Sequence, residues 1–247
     1  MDLRFRGPGD DNLINEGTND SRLMPRWFAF WFYSSCLLLF VGGISDEIAG
    51  KEAEGMNAWG ASISIFIMVM LVIFLWNKRD RVRSLASRIH LPLVMKSVLI
   101  GVVFAEIDEL VCFPFNPLFS GATLLEDIIL TAPMYFFAHL FWYWVLHKYA
   151  FTVREALLTG GLSLGLVEVI FGGTGVMALL GIFILPFIIL MHGVHMVMPK
   201  LALFDEFAAV GKTETRLKYL AGVLMPIAGT IIGIGAAFLV AAVFNLA

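Results

Sequence analysis

The sequence predicts an all-α fold, a polytopic transmembrane helical bundle of about seven spans. Three observations carry this. Hydrophobic residues make up 59% of the 247 residues and charged residues only 15%. A soluble domain holds about 45–50% and about 25%, respectively. The apolar residues fall in unbroken runs close to the roughly 20 residues that a helix needs to cross the hydrocarbon core. Lysine and arginine gather in alternate connections between these runs, as the positive-inside rule requires of a multi-pass protein. The runs are continuous rather than alternating, which excludes a β-barrel, the other structure that satisfies its backbone in lipid.

The elements follow in order. Residues 1–24 are polar and mixed in charge, with Gly, Asn and Asp, and read as a flexible cytosolic tail. The first apolar run begins late and is long, so no cleavable signal stands out. Residues 25–247 read as a single seven-helix membrane domain. Its spans are expected at 25–45, 57–77, 93–117, 122–146, 156–175, 176–199 and 219–245.

Charge sets the orientation. The second connection holds Lys78, Arg79, Arg81, Arg83 and Arg88, and Lys96 lies just inside the third span. Lys148 and Arg154 lie in the fourth connection; Lys200, Lys212, Arg216 and Lys218 lie in the sixth. Arg22 and Arg26 precede the first span. All fall on one side if the N-terminus is cytosolic and the C-terminus is outside. The outer loops carry only Lys51, amid Asp46, Glu47, Glu52 and Glu54. The expected location is the cell membrane, multi-pass, with Trp27, Trp31, Trp59 and Trp76 as interface anchors. The net charge of −3 adds little.

Within the spans, Pro133, Pro186 and Pro226 each remove a helix hydrogen bond. Gly161 and Gly165, and Gly229 and Gly233, form two GxxxG patterns that favour close helix packing. Cys36 and Cys112 sit in apolar stretches and read as buried free thiols, with no disulfide framework. No internal repeat of the transporter kind is visible.

The informative feature is acid inside the membrane. Glu106 follows Lys96 by ten residues, about 15 Å along a helix. Glu109 shares its face at i,i+3, while Asp108 points elsewhere. Glu126 and Asp127 open the fourth span, and Glu168 lies far along the fifth, flanked by apolar residues. No lysine or arginine is expected at that depth. An ionised group in lipid costs several kcal/mol, so these acids must be protonated, hydrogen-bonded, bound to a cation or placed on a wet cavity. Glu126 and Asp127, and also Asp108 and Glu109, can alternatively be read as interfacial.

Histidine adds a second component. His139 lies mid-span among aromatic residues and reads either as a base or as a packing residue. His192 and His195 sit at i,i+3 in the sixth span, where they could share a metal. Counting along the helices puts Glu168 near the outer end of its span and His192 toward the inner end of the next. A tilted or late-starting sixth span would close that gap.

Glu126-Asp127 at a helix start, GLSLGLVEVI ending near Glu168, and PFIILMHGVH with His192 and His195 resemble, in order and rough spacing, the intramembrane glutamic protease superfamily. That group includes CAAX-type prenyl proteases, bacteriocin-immunity membrane proteins and PrsW-like proteases. This chain departs from the pattern in two ways. Glu-Asp replaces Glu-Glu, and Leu130 stands in the region where the family carries Lys or Arg. The resemblance implies water activated inside the bilayer, with Glu126 or Glu168 as general base and His192 or His195 stabilising the oxyanion.

Three functions stay open: an intramembrane hydrolase of protease-like kind, a cation- or proton-coupled transporter lined by Glu106, Glu109, Asp127 and Glu168, and a non-catalytic assembly or immunity-type protein. The expected partners are the lipid bilayer and either a membrane-anchored peptide substrate or a small cation. No cofactor is named by the sequence, and the metal question stays open. The last span has no lysine for a retinal Schiff base. No GxxxxGK[ST] loop is present, and no nucleic-acid partner is implied.

Overall fold

The structure is a computed structural model that describes residues 28, 30–34, 37, 58–112, 123–172, 176–210 and 212–244. The tail at 1–24, most of the span expected at 25–45, Cys36, the outer acidic loop and residues 113–117 lie outside the described residues. The described chain is all-helical apart from one isolated bridge between Tyr149 and Thr213. In chain order the helices are α1 (Ala58–Asn77), α2 (Arg79–Ser87), α3 (Leu93–Cys112), α4 (Leu124–Lys148), α5 (Val153–Gly172), α6 (Val176–Ala202), α7 (Phe204–Ala208) and α8 (Leu217–Phe244).

Three stretches among the described residues are long and apolar enough to cross a membrane: Leu124–Lys148, Leu185–Ala202 and Leu217–Phe244. This fits a membrane protein. The side chains of α8 point the same way. Gly222, Pro226, Gly229, Gly233 and Ala237 are buried, while Leu220, Leu224, Ile231, Phe238 and Leu239 are exposed. Small residues inside and large apolar ones outside is the pattern of a helix solvated by lipid, where packing rather than hydrophobic burial joins helices.

The helix starts and stops differ from the sequence reading in ways that have causes. α5 begins at Val153 rather than at 156, because Thr152 and Glu155 form a capping box. The Glu155 N–H donates to Thr152 Oγ1 at 3.0 Å, and the Thr152 N–H donates to Glu155 Oε2 at 2.8 Å. This satisfies two of the orphan donors of the first turn. Thr123 starts α4 by accepting from the Glu126 N–H at 3.2 Å. The connections at 78–92 and 200–218, read as loops, contain α2 and α7. Their polar composition hid them from a count of apolar residues.

α6 is the central element, packed by α1, α3 and α5, with α4 and α8 completing the bundle. Both GxxxG patterns lie at close crossings. A Cβ on Gly161 would fall 2.0 Å from the Ile189 carbonyl oxygen, and one on Gly193 would fall 2.8 Å from the Leu157 carbonyl oxygen. On α8, a Cβ on Gly229 would fall 2.5 Å from the Phe137 oxygen, and one on Gly233 would fall 2.4 Å from the Met134 Cα. Polar bonds pin the same crossings. The Trp142 indole donates to the Met196 carbonyl at 2.7 Å, and the Ser163 hydroxyl donates to the Val223 carbonyl at 2.7 Å.

One end of the bundle is tied by basic residues. Arg83 donates to the Leu201 carbonyl at 3.3 Å and lies over the Phe204 ring. Lys96, buried, pairs with Glu206 at 2.8 Å. Lys218 reaches Glu155, Glu214 and the Ala150 carbonyl, and Lys212 donates to the Leu146 carbonyl. The helix ends near residues 77, 148 and 202 and the helix starts near 93, 153 and 217 therefore gather on one side.

Candidate functional site

The site is built on four helices. On α4, Asp127, Thr131, Tyr135 and His139 recur every four residues and so line one face. All four are buried. α3 contributes Asp108 and Glu109, α5 contributes Glu168, and α6 contributes His192 and His195.

Glu168 and His192 meet, with Oε2 and Nε2 2.8 Å apart. The apparent mismatch in height along the two helices is resolved by side-chain direction. α5 and α6 run antiparallel, with Gly161 facing Ile189 and Gly193, and Gly165 facing Leu185 and Ile188. Side chains on a helix lean toward its own N-terminus. On antiparallel neighbours, Glu168 and His192 therefore lean toward one another.

The contacts continue inward. His192 Nδ1 lies 3.3 Å from His195 Nε2, and His195 Nδ1 lies 3.1 Å from His139 Nε2. His139 Nδ1 has no hydrogen-bond partner, and its ring packs on Gly101, where a Cβ would fall 2.2 Å from that nitrogen. A bare Nδ1 assigns the His139 proton to Nε2. One direction of donation then serves the whole chain: His139 to His195, His195 to His192, and His192 to the Glu168 carboxylate. Burial falls along it in the same sense. The Glu168 side chain is 24% exposed and that of His192 10%, while His195 and His139 are fully buried. Glu168 is thus the outward member.

Around this relay, the Tyr135 hydroxyl donates to Glu109 Oε1, and the Tyr135 ring meets the His195 ring edge-on, with centroids 5.4 Å apart. Asp108, His192 and His195 each offer one metal-ligating atom, and these atoms lie within 4.8 Å of one another.

The other acids adjoin this cluster through Glu109. Asp127 precedes His139 by twelve residues, about 18 Å along α4, and lies within electrostatic range of Glu106 and Glu109. Both carboxylate oxygens of Glu106 are buried without a hydrogen bond. The Thr131 hydroxyl beside them donates to the Asp127 carbonyl at 2.9 Å. Glu126 sits in the first turn of α4, with no hydrogen bond to the histidine cluster and with Oε2 buried and unpartnered. The structure therefore brings Glu168, His192, His195, His139, Asp108 and Glu109 together, places Glu126 and Asp127 in the first turn of α4, and leaves Glu106 beside Glu109 and Asp127. Tyr135 and Gly101 were not picked out from the sequence. Tyr135 had a signal, since it lies four residues before His139 on the same face. Gly101 had none, because its role depends on a ring from another helix.

At the basic end, two groups are shifted. Burial raises the Glu155 carboxyl, but the Tyr219 hydroxyl, the Thr152 N–H and Lys218 outweigh it and hold the group below the ordinary carboxylate range. Burial, with Lys200 nearby, pulls the Lys212 ammonium down to about 7.

The molecule is thus an all-helical protein of membrane-fitting composition with a carboxylate–histidine cluster inside it. No protein-family model, curated protein or solved structure matches the chain.

Proposed function

We propose that the chain is a multi-pass protein of the cell membrane, with about seven spans, a cytosolic N-terminus and an outer C-terminus, and that it is an intramembrane hydrolase of protease-like kind. The observation that supports hydrolysis is the 2.8 Å contact between Glu168 and His192. A carboxylate on an imidazole at the partly exposed edge of a buried cluster is an acid–base pair placed where a membrane-anchored peptide can reach it. Glu168 accepts a proton from water as the water oxygen adds to the peptide carbonyl carbon, and His192 holds the charge on the pair. As the C–N bond breaks, the same proton passes to the leaving nitrogen, which leaves an amine and a carboxylic acid. The basic residues gathered at one end of the bundle support the orientation. The ordered resemblance to intramembrane glutamic proteases supports the reaction class through Glu168, His192 and His195. Glu126 and Asp127 have no part in this step.

The test is cleavage of a panel of fluorogenic membrane-anchored peptides by the protein in vesicles. The expected result is hydrolysis that falls by at least about 100-fold in Glu168→Gln, the usual scale of one acid–base group. Cleavage at the same rate in that variant, or none by the wild type, overturns the reading.

A second reading is proton-coupled transport. The unbroken relay from Glu168 through His192 and His195 to His139 favours it. It predicts proton flux in vesicles that His195→Gln abolishes. If cleavage and flux are both absent and the acids are dispensable, a non-catalytic assembly or immunity-type role remains.

A further inference from the structure

The two inner nitrogens of the relay are set for more than a hydrogen bond. His192 Nδ1 and His195 Nε2 are 3.3 Å apart, longer than the 2.9–3.0 Å or so at which N–H donors usually sit. The spacing equals the edge of a metal tetrahedron. Zinc–nitrogen bonds of about 2.0–2.1 Å at the tetrahedral angle place two nitrogens about 3.3–3.4 Å apart. Asp108 supplies a carboxylate from α3, and one ligand atom from each of the three residues lies within 4.8 Å of the other two.

The outer nitrogens carry the second half of the argument. Histidines that bind metal almost always hydrogen-bond through their other nitrogen, which sets the tautomer and ring orientation. His192 Nε2 is engaged by Glu168 at 2.8 Å, and His195 Nδ1 by His139 at 3.1 Å. An ion here reverses the relay: His139 moves its proton to Nδ1 and accepts at Nε2 from His195 Nδ1–H, which frees both inner nitrogens to present lone pairs to the same point. All three ligating residues are buried: Asp108 is 3% exposed, His192 7% and His195 0%. Two imidazoles and one carboxylate select a zinc-class transition ion over magnesium or calcium, which take all-oxygen sets.

We infer that Asp108, His192 and His195 form a binding site for one zinc-class divalent ion, with Glu168 and His139 as the positioning residues of its two imidazoles. The inference goes beyond the hydrolase reading and does not rest on it, since an ion here would serve hydrolysis, transport or structure alike.

The test uses the full chain, purified in detergent and stripped with a chelator. Zinc uptake is measured by equilibrium dialysis and cobalt uptake by visible absorption. The expected result is one zinc per chain and the intense bands of tetrahedral cobalt, displaced by zinc. His195→Ala removes both signals. Asp108→Asn, which keeps side-chain shape, weakens zinc by at least about tenfold, and so does Glu168→Gln, the usual loss for a partner of a ligating histidine. Thermal unfolding in chelator identifies variants that have simply failed to fold; Asp108→Asn is read if His195→Ala is among them. His90 and His147 lie outside the cluster and persist in every variant, so their surface binding is common to all. Zinc uptake equal in the wild type, Asp108→Asn and His195→Ala, or no uptake by the wild type, overturns the site. Zinc uptake without peptide cleavage retains the site and removes the hydrolase reading. Cleavage in chelator without zinc uptake does the reverse.

Discussion

Gly161 lies against Ile189 so closely that a Cβ built on the glycine would sit 2.0 Å from the Ile189 carbonyl oxygen. The obstacle is backbone, which cannot swing away as a side chain can. This crossing sets the register of α5 on α6, and so decides that Glu168 reaches His192. Gly161→Ala is expected to destabilise the protein by about 1–3 kcal/mol, as overpacking does. It should also separate that pair. Gly235→Ala is the control, since nothing lies within 4 Å of its added Cβ. There the gain in helix propensity is expected to stabilise by about 0.5–1 kcal/mol. Thermal unfolding in detergent distinguishes the two, and equal shifts would sink the claim that this crossing is backbone-limited.

Gly101 makes a second prediction of the same kind with a different target. Its missing side chain leaves room for the His139 ring. Gly101→Ala is expected to push the ring off His195 while leaving the contact between Glu168 and His192 in place. Nitrogen NMR of labelled histidine reads this directly, as a changed tautomer signal for His195 with His192 unmoved. An unchanged His195 signal would show that the ring has another place to go.

The capping box of α5 predicts a pH effect. Glu155 is held below the ordinary carboxylate range in the fold, so the unfolded chain takes up its proton first as pH falls. The stability it contributes is present above the ordinary carboxylate pKa and is lost as pH drops through the lower folded value. Glu155→Gln should remove that acid limb. Thr152→Val should cost about 1 kcal/mol at neutral pH through loss of the cap. Unfolding midpoints measured from pH 3 to 7 check both.

Lys212 predicts a slope of the same sign at higher pH. Its ammonium titrates at about 7 in the fold, against about 10.4 in an unfolded chain. Between these values the unfolded chain holds the extra proton, so stability rises with pH. Below about 7 both states are charged, and the burial cost is present in full. Lys212→Met should therefore flatten the stability profile between pH 7 and 10. A profile identical to the wild type would mean that the ammonium is solvated in the fold.

The one-dimensional pattern carried a good deal of this. Continuous apolar runs marked α1, α3, α4, α5, α6 and α8 to within a few residues, because the cost of exposing backbone to lipid is local to each segment. α2 and α7 escaped because they are short, polar helices at the bundle end, held by contacts such as Lys96 with Glu206 that join residues 110 apart in the chain. Glu168, His192 and His195 were readable as candidates because each is an ionisable residue amid apolar neighbours. Glu126 and Glu168 looked alike by that test, although one occupies a helix first turn and the other meets a histidine.

Helical class, a composition suited to lipid and the presence of acids where no cation neighbours them were determined by the sequence alone, since each depends only on residues close together in the chain. Which acid meets which histidine was decided by tertiary structure. That choice depends on the register of α3, α4, α5 and α6 against one another. Register is set where glycines admit a close neighbour, the Ile189 backbone at Gly161 and the His139 ring at Gly101. A shift of one helical turn, about 5.4 Å, would leave every local pattern unchanged and part Glu168 from His192.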